Sequence, residues 1–389
     1  MSDTDLSSST LRRDVLVTSL VGGAHFTSHF FQLSLAPLFP ILHDVFDASY
    51  VMLGSVMTVF YLVSGICQAF AGVLVDRFGP RPALLFGILS MAVCVGLAGL
   101  VTHFWMFYPL FILAGIGNSV FHPADFSALS HQVSKPRMGR AFSIHSSSGT
   151  LGYAMAPLVI GFIAAHGNWR VALCAGGLMG LAVAGLVYRY GRECIPDHGY
   201  GDAARPAAKI SYRQLIAMPA LLFAFGYFLF TSAAGGAIQN FSIASFMDFY
   251  GVTLKTATTA LSAYLISSAI GMLLGGVIAD HTFRHVAVAV TGLLSCAFLM
   301  CLVASGFLSF NLVVVTLAAA GLCQGITAPS RDILVKGATP PGATGRVFGF
   351  VYSGLDAGSM VAPILFGALV DRHAYHLAYF GIAALFATA

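Results

Sequence analysis

The chain has 389 residues, of which 58% are hydrophobic and only 9% are charged, and its net charge is +4. Soluble domains carry about 25% charged residues, so the composition excludes a soluble globule and indicates that lipid covers most of the surface. The charge gives no reason to expect a nucleic acid partner. Long unbroken apolar runs, such as 82–101 and 286–307, favour α-helices over the alternating strands of a membrane barrel.

Twelve apolar segments follow one another along the chain, and each predicts a membrane helix. They are 15–42, 50–74, 82–101, 104–133, 139–165, 168–190, 215–247, 256–279, 285–306, 309–337, 343–370 and 375–389. A long polar stretch at 191–214 predicts a linker. The expected fold is therefore an all-α membrane protein, with one six-helix bundle over 1–190 and a second over 215–389.

Positive charges predict the orientation of these helices. Arg12 and Arg13 precede the first apolar segment, and no small-residue cleavage site follows it, so we expect a retained helix and no signal peptide. With the N-terminus inside, the outer loops receive only Arg170, Lys255 and Arg372 of the 19 Lys and Arg residues. Because positive residues stay inside, we expect a multi-pass protein of the bacterial inner membrane with both termini cytoplasmic.

The two halves of the chain repeat each other. The run GRAF at 139–142 returns as GRVF at 345–348, and the pair Ala156-Pro157 returns as Ala362-Pro363. One constant spacing over such positions is not expected by chance. A parallel repeat of six helices is a known architecture of secondary transporters, so the sequence predicts two pseudo-symmetric bundles.

The loop after the second segment carries a recognisable motif. The run GVLVDRFGPR at 72–81 resembles the GxxxDRxGxR signature of the major facilitator superfamily, and GVIADHTFR at 276–284 resembles a weaker second copy. The resemblance implies charge and helix-dipole contacts that hold the cytoplasmic side closed, with the arginines at the two matching helix starts as partners. The predicted gating residues are Gly72, Asp76, Arg77, Gly79, Arg81, Arg140, Asp280, Arg284 and Arg346.

A narrower resemblance covers most of the first half. The runs HFTSHFFQ at 25–32, GIGNSVFHP at 115–123 and GRAFSI at 139–144 are similar to fosmidomycin-resistance-like transporters. Gly149, Gly152 and Pro157 are similar to the glycine–proline motif of many antiporters. The chain departs from the branch where His29 and Ala124 replace acidic residues, so the substrate of that branch is not carried over.

Polar residues inside apolar helices are costly and predict functional sites. The resemblance implies that helices 1, 4, 7 and 10 line a central cavity. His25 and His29 are one turn apart and share a helix face, as do His122 and Asp125. The predicted substrate-binding residues are His25, His29, Gln32, Asn118, His122, Gln239, Asn240, Gln324 and Arg331.

Three titratable residues are candidates for proton coupling: Asp125, Asp356 and His145. Asp356 falls near the middle of its segment, where a buried carboxyl favours the protonated form, and histidines titrate near neutral pH. Asp125 and Arg331 occupy equivalent places in the two halves. They are expected either to face each other in an inner gate or to leave Arg331 free to bind an anionic substrate, and the sequence leaves both possibilities open.

A transition metal is an alternative ligand for the histidines. His25, His29 and His122, with Asp125 and His145 nearby, offer the imidazole groups that suit Zn, Fe, Cu or Ni. The sequence shows no carboxylate or thiol in a clean third position, so a metal or metal-chelate transporter is the second hypothesis.

The leading hypothesis is a proton-coupled secondary transporter of a small polar or anionic solute, working by alternating access, with efflux favoured. A non-transporting membrane sensor on the same fold is another alternative. No convincing nucleophile–base pair and no P-loop lysine are present, so neither an enzyme nor ATP as the energy source is expected. We expect no cofactor and no nucleic acid, and a monomer whose partners are its substrate, protons and membrane lipid.

Overall fold

A computed structural model describes residues 3–198, 218–340 and 344–389. These residues form fourteen α-helices, joined by short turns, and no β-strand occurs among them. The helices are α1 Asp3–Gln32, α2 Phe39–Phe46, α3 Tyr50–Phe78, α4 Pro80–Ala98, α5 Phe107–Asn118, α6 Phe121–Gln132, α7 Met138–His166, α8 Trp169–Gly191, α9 Pro219–Tyr250, α10 Leu254–His281, α11 His285–Ala304, α12 Phe310–Gly337, α13 Thr344–Asp371 and α14 Tyr375–Thr388.

The helical membrane class predicted from the composition is confirmed. Within the described ranges, ten helical segments are long and apolar enough to cross a membrane, and α14 is a shorter apolar helix. Most of the predicted linker lies outside the described residues. The side chain of Arg346 also lies outside them, so its predicted gating role stays a prediction.

Two of the predicted segments are not single helices. The segment 15–42 breaks after Gln32, and a short 3-10 turn at Ala36–Leu38 then leads into α2. Pro40 stands in the first turn of α2, where its missing N–H costs nothing. The segment 104–133 divides into α5 and α6 around Ser119. Pro123 cannot donate a hydrogen bond to the carbonyl of Ser119, so the helix is interrupted there.

The chain forms two compact units. The first contains Met1–Leu35 and Leu62–Ala203, and the second contains Ala36–Tyr61 and Ala204–Ala389. The predicted boundaries stay a prediction, but one difference is visible: residues 36–61 belong to the second unit although they precede the linker. Helix α3 therefore contributes its first turns to the second unit and the rest to the first.

Glycines allow close helix packing inside each unit, as is common in membrane bundles. In the first unit, α4 packs against α8, where a Cβ on Gly177 would lie 2.7 Å from the carbonyl oxygen of Ala92. In the second unit, Gly275 on α10 meets the backbone of Ile326 on α12, where a Cβ would lie 2.5 Å from the carbonyl oxygen.

The first turn of α3 packs against α13 in the second unit. The carboxylate of Asp371, at the end of α13, accepts hydrogen bonds from the backbone N–H groups of Tyr50 at 2.5 Å and Val51 at 3.0 Å. A Cβ on Gly54 would lie 2.5 Å from the carbonyl oxygen of Pro363. An acidic side chain from a distant helix therefore caps the N-terminus of α3, where unpaired N–H groups and the helix dipole favour negative charge.

Candidate functional site

Four histidines and one aspartate come together in the first unit, and we call them the histidine–aspartate cluster. Helix α1 supplies His25 and His29, α6 supplies His122 and Asp125, and α7 supplies His145. His25 is central, because the rings of His145, His29 and His122 have centroids 3.8, 4.3 and 5.4 Å from its own. The structure thus joins five residues that the sequence singled out on three separate segments.

Three members of the cluster are buried: His25, Asp125 and His145, which we call the buried trio. Asp125 has no exposed surface, and His25 and His145 each expose only 3% of theirs. His29 is half-buried and His122 is exposed. Exposure therefore decreases across the cluster, from the exposed His122 through the half-buried His29 to the fully buried Asp125.

The carboxylate of Asp125 is only partly paired. His145 Nε2 forms a hydrogen bond of 2.9 Å with Asp125 Oδ2. His25 Nδ1 lies 3.1 Å from the same oxygen but is not aligned for a hydrogen bond, and Asp125 Oδ1 has no partner. A buried polar atom without a partner costs about 1–3 kcal/mol. The Asp125 carboxylate is therefore suited to bind a proton or a ligand that supplies the missing partner.

Two features of the sequence build the cluster locally. The break at Ser119 starts α6 afresh, and the spacing of His122 and Asp125 then places both on one face. On α7, the absence of a side chain at Gly149 and Gly152 lets α1 approach closely. A Cβ on Gly149 would lie 2.6 Å from His25 Nε2, and a Cβ on Gly152 would collide with the carbonyl oxygen of Phe26. The glycine–proline motif thus makes room for the histidines of α1.

A chain of amide and hydroxyl groups extends from the cluster. Gln32 Nε2 donates to Asn118 Oδ1 at 3.0 Å, and Asn118 Nδ2 donates to Ser64 Oγ at 2.9 Å. Tyr153 donates its hydroxyl proton to Gln32 Oε1 at 2.5 Å, and its ring lies 4.4 Å from that of His29. Ser64 and Tyr153 were not among the residues predicted from the sequence. Tyr153 lies one turn after Gly149 on α7, and that spacing is the signal that could have identified it.

The candidate residues of the second unit make contacts within that unit. Arg331 on α12 forms a 2.9 Å ion pair with its neighbour Asp332 and lies 4.3 Å over the ring of Phe228. Tyr352 on α13 donates a 3.2 Å hydrogen bond to the same carboxylate. The guanidinium of Arg331 therefore already has an anionic partner, which weakens the interpretation that it is free to bind an anionic substrate.

The remaining polar candidates of the second unit are less closely grouped. Gln324 accepts a hydrogen bond from Tyr264 at 2.6 Å. Asn240 donates to the carbonyl of Gly236 in its own helix, while its Oδ1 atom has no partner. Gln239 on α9 and Asp356 on α13 are half-buried. Among the described residues, the second unit offers no cluster of titratable groups comparable to that of the first.

The residues of the predicted gate have mixed environments. Asp76, Arg77, Arg140, Asp280 and Arg284 are exposed, and their gating role stays a prediction.

Arg81 differs from the exposed gate residues, because it is buried, pairs with Asp197 at 2.5 Å and donates to the carbonyl oxygen of Tyr188 at 2.7 Å. Gly79 has a φ of +91° and makes the turn between α3 and α4. Gly72, another of the predicted gating residues, makes no close helix contact, because a Cβ there would meet nothing within 4 Å.

Residues 21–250 and 223–389 match the sequence profile of the Major Facilitator Superfamily, and the chain therefore belongs to this superfamily and is a multi-pass membrane transporter. Among its relatives, the MFS-type transporter YfnC of Bacillus subtilis is 27% identical, over 90% of this chain and 86% of that protein. The fosmidomycin resistance protein of Escherichia coli is 24% identical, over 92% and 86%. The membrane sensor protein UhpC of Salmonella typhimurium is 25% identical, over 70% and 65%.

A solved structure supports the fold. The crystal structure of a point mutant of the nucleoside transporter NupG matches 95% of this chain and 98% of its own with a TM-score of 0.76. The sequence identity is 13%, so the likeness concerns the fold alone. The relatives are transporters and a sensor, which accords with the expectation that the chain is not an enzyme.

Proposed function

We propose that this chain is a proton-coupled secondary transporter that moves a small polar solute across a bacterial inner membrane by alternating access. The observation that carries the proposal is the buried carboxylate of Asp125 in contact with His25 and His145. A charged side chain deep in a membrane protein costs several kcal/mol. The gain or loss of a proton therefore changes the free energy of the buried trio strongly. A conformational change that exposes the trio to water changes that free energy too, and so couples to protonation.

Efflux is favoured by two lines of support. The relative named for fosmidomycin resistance covers nearly the whole chain, and the glycine–proline motif of α7 is similar to that of antiporters. An anionic substrate is less favoured than the sequence alone indicated, because Arg331 is paired with Asp332. We infer that the protein acts as a monomer, with both termini cytoplasmic.

Reconstituted protein tests this proposal. Proteoliposomes that contain a pH-sensitive dye receive a pH gradient and then fosmidomycin or another member of a panel of small polar solutes. We expect solute-dependent proton movement that Asp125→Asn slows by about tenfold or more, which corresponds to about 1.4 kcal/mol in the barrier. Asp44→Asn, at an exposed position on α2, is the matched control.

The outcome distinguishes three possibilities. Equal proton movement in the wild type and Asp125→Asn would refute the coupling role of the trio. An Asp356→Asn variant that keeps its flux would assign Asp356 a structural role. Absence of flux for every solute would favour the second candidate, a membrane sensor, which the similarity to UhpC supports.

A further inference from the structure

The buried trio offers three ligand atoms to a common point. One nitrogen each from His25 and His145 and one oxygen from Asp125 all lie within 4.8 Å of one another. They come from three different helices, α1, α6 and α7. The expectation that no carboxylate occupies a clean third position was wrong, because Asp125 occupies that position in the structure.

The distances in the trio fit metal coordination. Imidazole nitrogens and carboxylate oxygens lie about 2.0–2.2 Å from Zn²⁺, so two such ligands are about 3.4 Å apart in a tetrahedral site and about 3.0 Å apart at right angles. The distances from Asp125 Oδ2 to His145 Nε2 and His25 Nδ1 are 2.9 and 3.1 Å. Both distances to Asp125 are close to those of ligands that share one ion, and the two imidazole nitrogens, which lie within 4.8 Å of each other, complete the site if they turn toward the same point.

Hydrogen bonding alone does not account for the arrangement. The bond from His145 leaves His25 Nδ1 and Asp125 Oδ1 buried without partners. His29 Nδ1, on the ring next to His25, is also without a partner. In the tautomer that leaves His25 Nδ1 unprotonated, one cation held by the trio would satisfy this atom and the Asp125 carboxylate together, whereas one proton satisfies only one atom at a time.

The chemistry of the donors selects a class of ion. Two imidazoles and one carboxylate form the ligand set of non-haem iron sites and also suit Zn, Co and Ni, whereas Mg²⁺ and Ca²⁺ prefer oxygen ligands. No thiol belongs to the group of three, which disfavours Cu(I). The exposed His122, 5.4 Å from His25 between ring centroids, provides an imidazole on the accessible side.

We propose that His25, Asp125 and His145 bind one divalent first-row transition-metal ion. The inference rests on the proposed function, because it names the substrate class of the same site: a metal ion that the transporter carries, alone or in a complex. The rings of His29 and His122 lie next to that of His25, at 4.3 and 5.4 Å between centroids, and provide two further imidazoles beside the site.

Metal binding is measured on the full chain, purified in detergent and freed of metal, by calorimetric titration with Zn²⁺ and with Co²⁺. We expect one ion per chain. His145→Gln and His25→Gln should each weaken binding by more than about 100-fold, since even groups that only hydrogen-bond to a metal ligand contribute about 10- to 100-fold. The matched control is His166→Gln, because His166 is exposed and bonds to the carbonyl of Phe162 in its own helix.

The proposal would be overturned if neither Zn²⁺ nor Co²⁺ binds, or if binding persists unchanged in His145→Gln. The visible spectrum of Co²⁺ added to wild-type protein decides the question even if the variants fail to fold. Bands of a protein site with nitrogen and oxygen ligands support the proposal, and the spectrum of aqueous Co²⁺ contradicts it.

The flux assay is repeated with Zn²⁺ and with Co²⁺ as the added solute, and we expect metal-dependent proton movement. Proton-coupled movement of an organic solute without metal binding refutes this inference alone. Metal binding without any flux refutes only the proposed transport.

Discussion

Gly149 on α7 faces the two histidines of α1, and replacing it with alanine tests how tightly the histidine–aspartate cluster is built. An added Cβ would lie 2.6 Å from His25 Nε2 and 3.0 Å from His29 Cε1. Non-bonded carbon and nitrogen atoms prefer about 3.5 Å or more, so the His25 ring has to move by about 1 Å. That displacement separates His25 Nδ1 from Asp125 Oδ2, which are 3.1 Å apart.

The expected cost of Gly149→Ala has two parts. Overpacking of a well-filled interior typically costs about 1–3 kcal/mol, and the same substitution at an open helical position stabilises by about 0.5–1 kcal/mol. We therefore expect a net loss of about 1–2 kcal/mol and a lower apparent melting temperature. Proton-coupled flux should fall further than the loss of folded protein alone explains, because the displaced ring belongs to the site itself.

Gly185→Ala on α8 is the matched control, because a Cβ there meets nothing within 4 Å. It should keep the wild-type flux and melt at the same or a higher temperature. Both variants are purified in detergent, melted with intrinsic fluorescence as the signal, and then reconstituted for the flux assay. A Gly149→Ala protein with wild-type stability and flux would show that α1 shifts freely, and would refute the argument that α7 positions His25.

Two further substitutions test contacts at the helix ends. Asp14, just before the first apolar segment, hydrogen-bonds Ser134 and Arg137. Burial alone would raise the pKa of Asp14, but these bonds outweigh it and leave the pKa below its usual value. A carboxyl group whose pKa is lower in the folded than in the unfolded protein stabilises the folded state at pH values above its unfolded pKa, which is about 3.9 for aspartate. Asp14→Asn should therefore lower the melting temperature at neutral pH. This difference should shrink as the pH falls through the lowered pKa, and a pH-independent difference would contradict the assignment. Asp371→Asn should lower the stability by about 1 kcal/mol, because it weakens the cap of α3. The control Arg372→Gln, at an exposed position, should melt like the wild type. Equal melting temperatures of the two variants would show that the cap contributes nothing.

The membrane class and most helices could be predicted because apolar runs are long and lipid admits few alternatives. The breaks near Gln32 and Ser119 were missed because both lie inside apolar sequence, where hydropathy does not respond to an interruption. Pro40 and Pro123 were the available signals, but membrane helices tolerate proline when neighbouring groups satisfy the backbone, so neither position alone predicts a break.

The sequence identified the members of the cluster but not their partners. Spacing along one helix predicts that His25 and His29 share a face, and it does not say which helix that face meets. The contact of His145 with Asp125 depends on the packing of α6 against α7, and the contact of His25 depends on the glycines of α7. The ion pair of Arg331 with Asp332 was also missed, because adjacent residues on a helix do not ordinarily face each other.

The two halves of the repeat have diverged in their charge chemistry at matching positions. Where the first half has Asp125, with unpaired lone-pair atoms around it, the second has Arg331, neutralised by Asp332 and stacked on Phe228. The first unit therefore favours a proton or a cation, and the second has no uncompensated positive charge at Arg331 to offer an anion. An anionic substrate that binds Arg331 would require Asp332 to release it during the cycle, whereas a cation would bind the trio without breaking that ion pair.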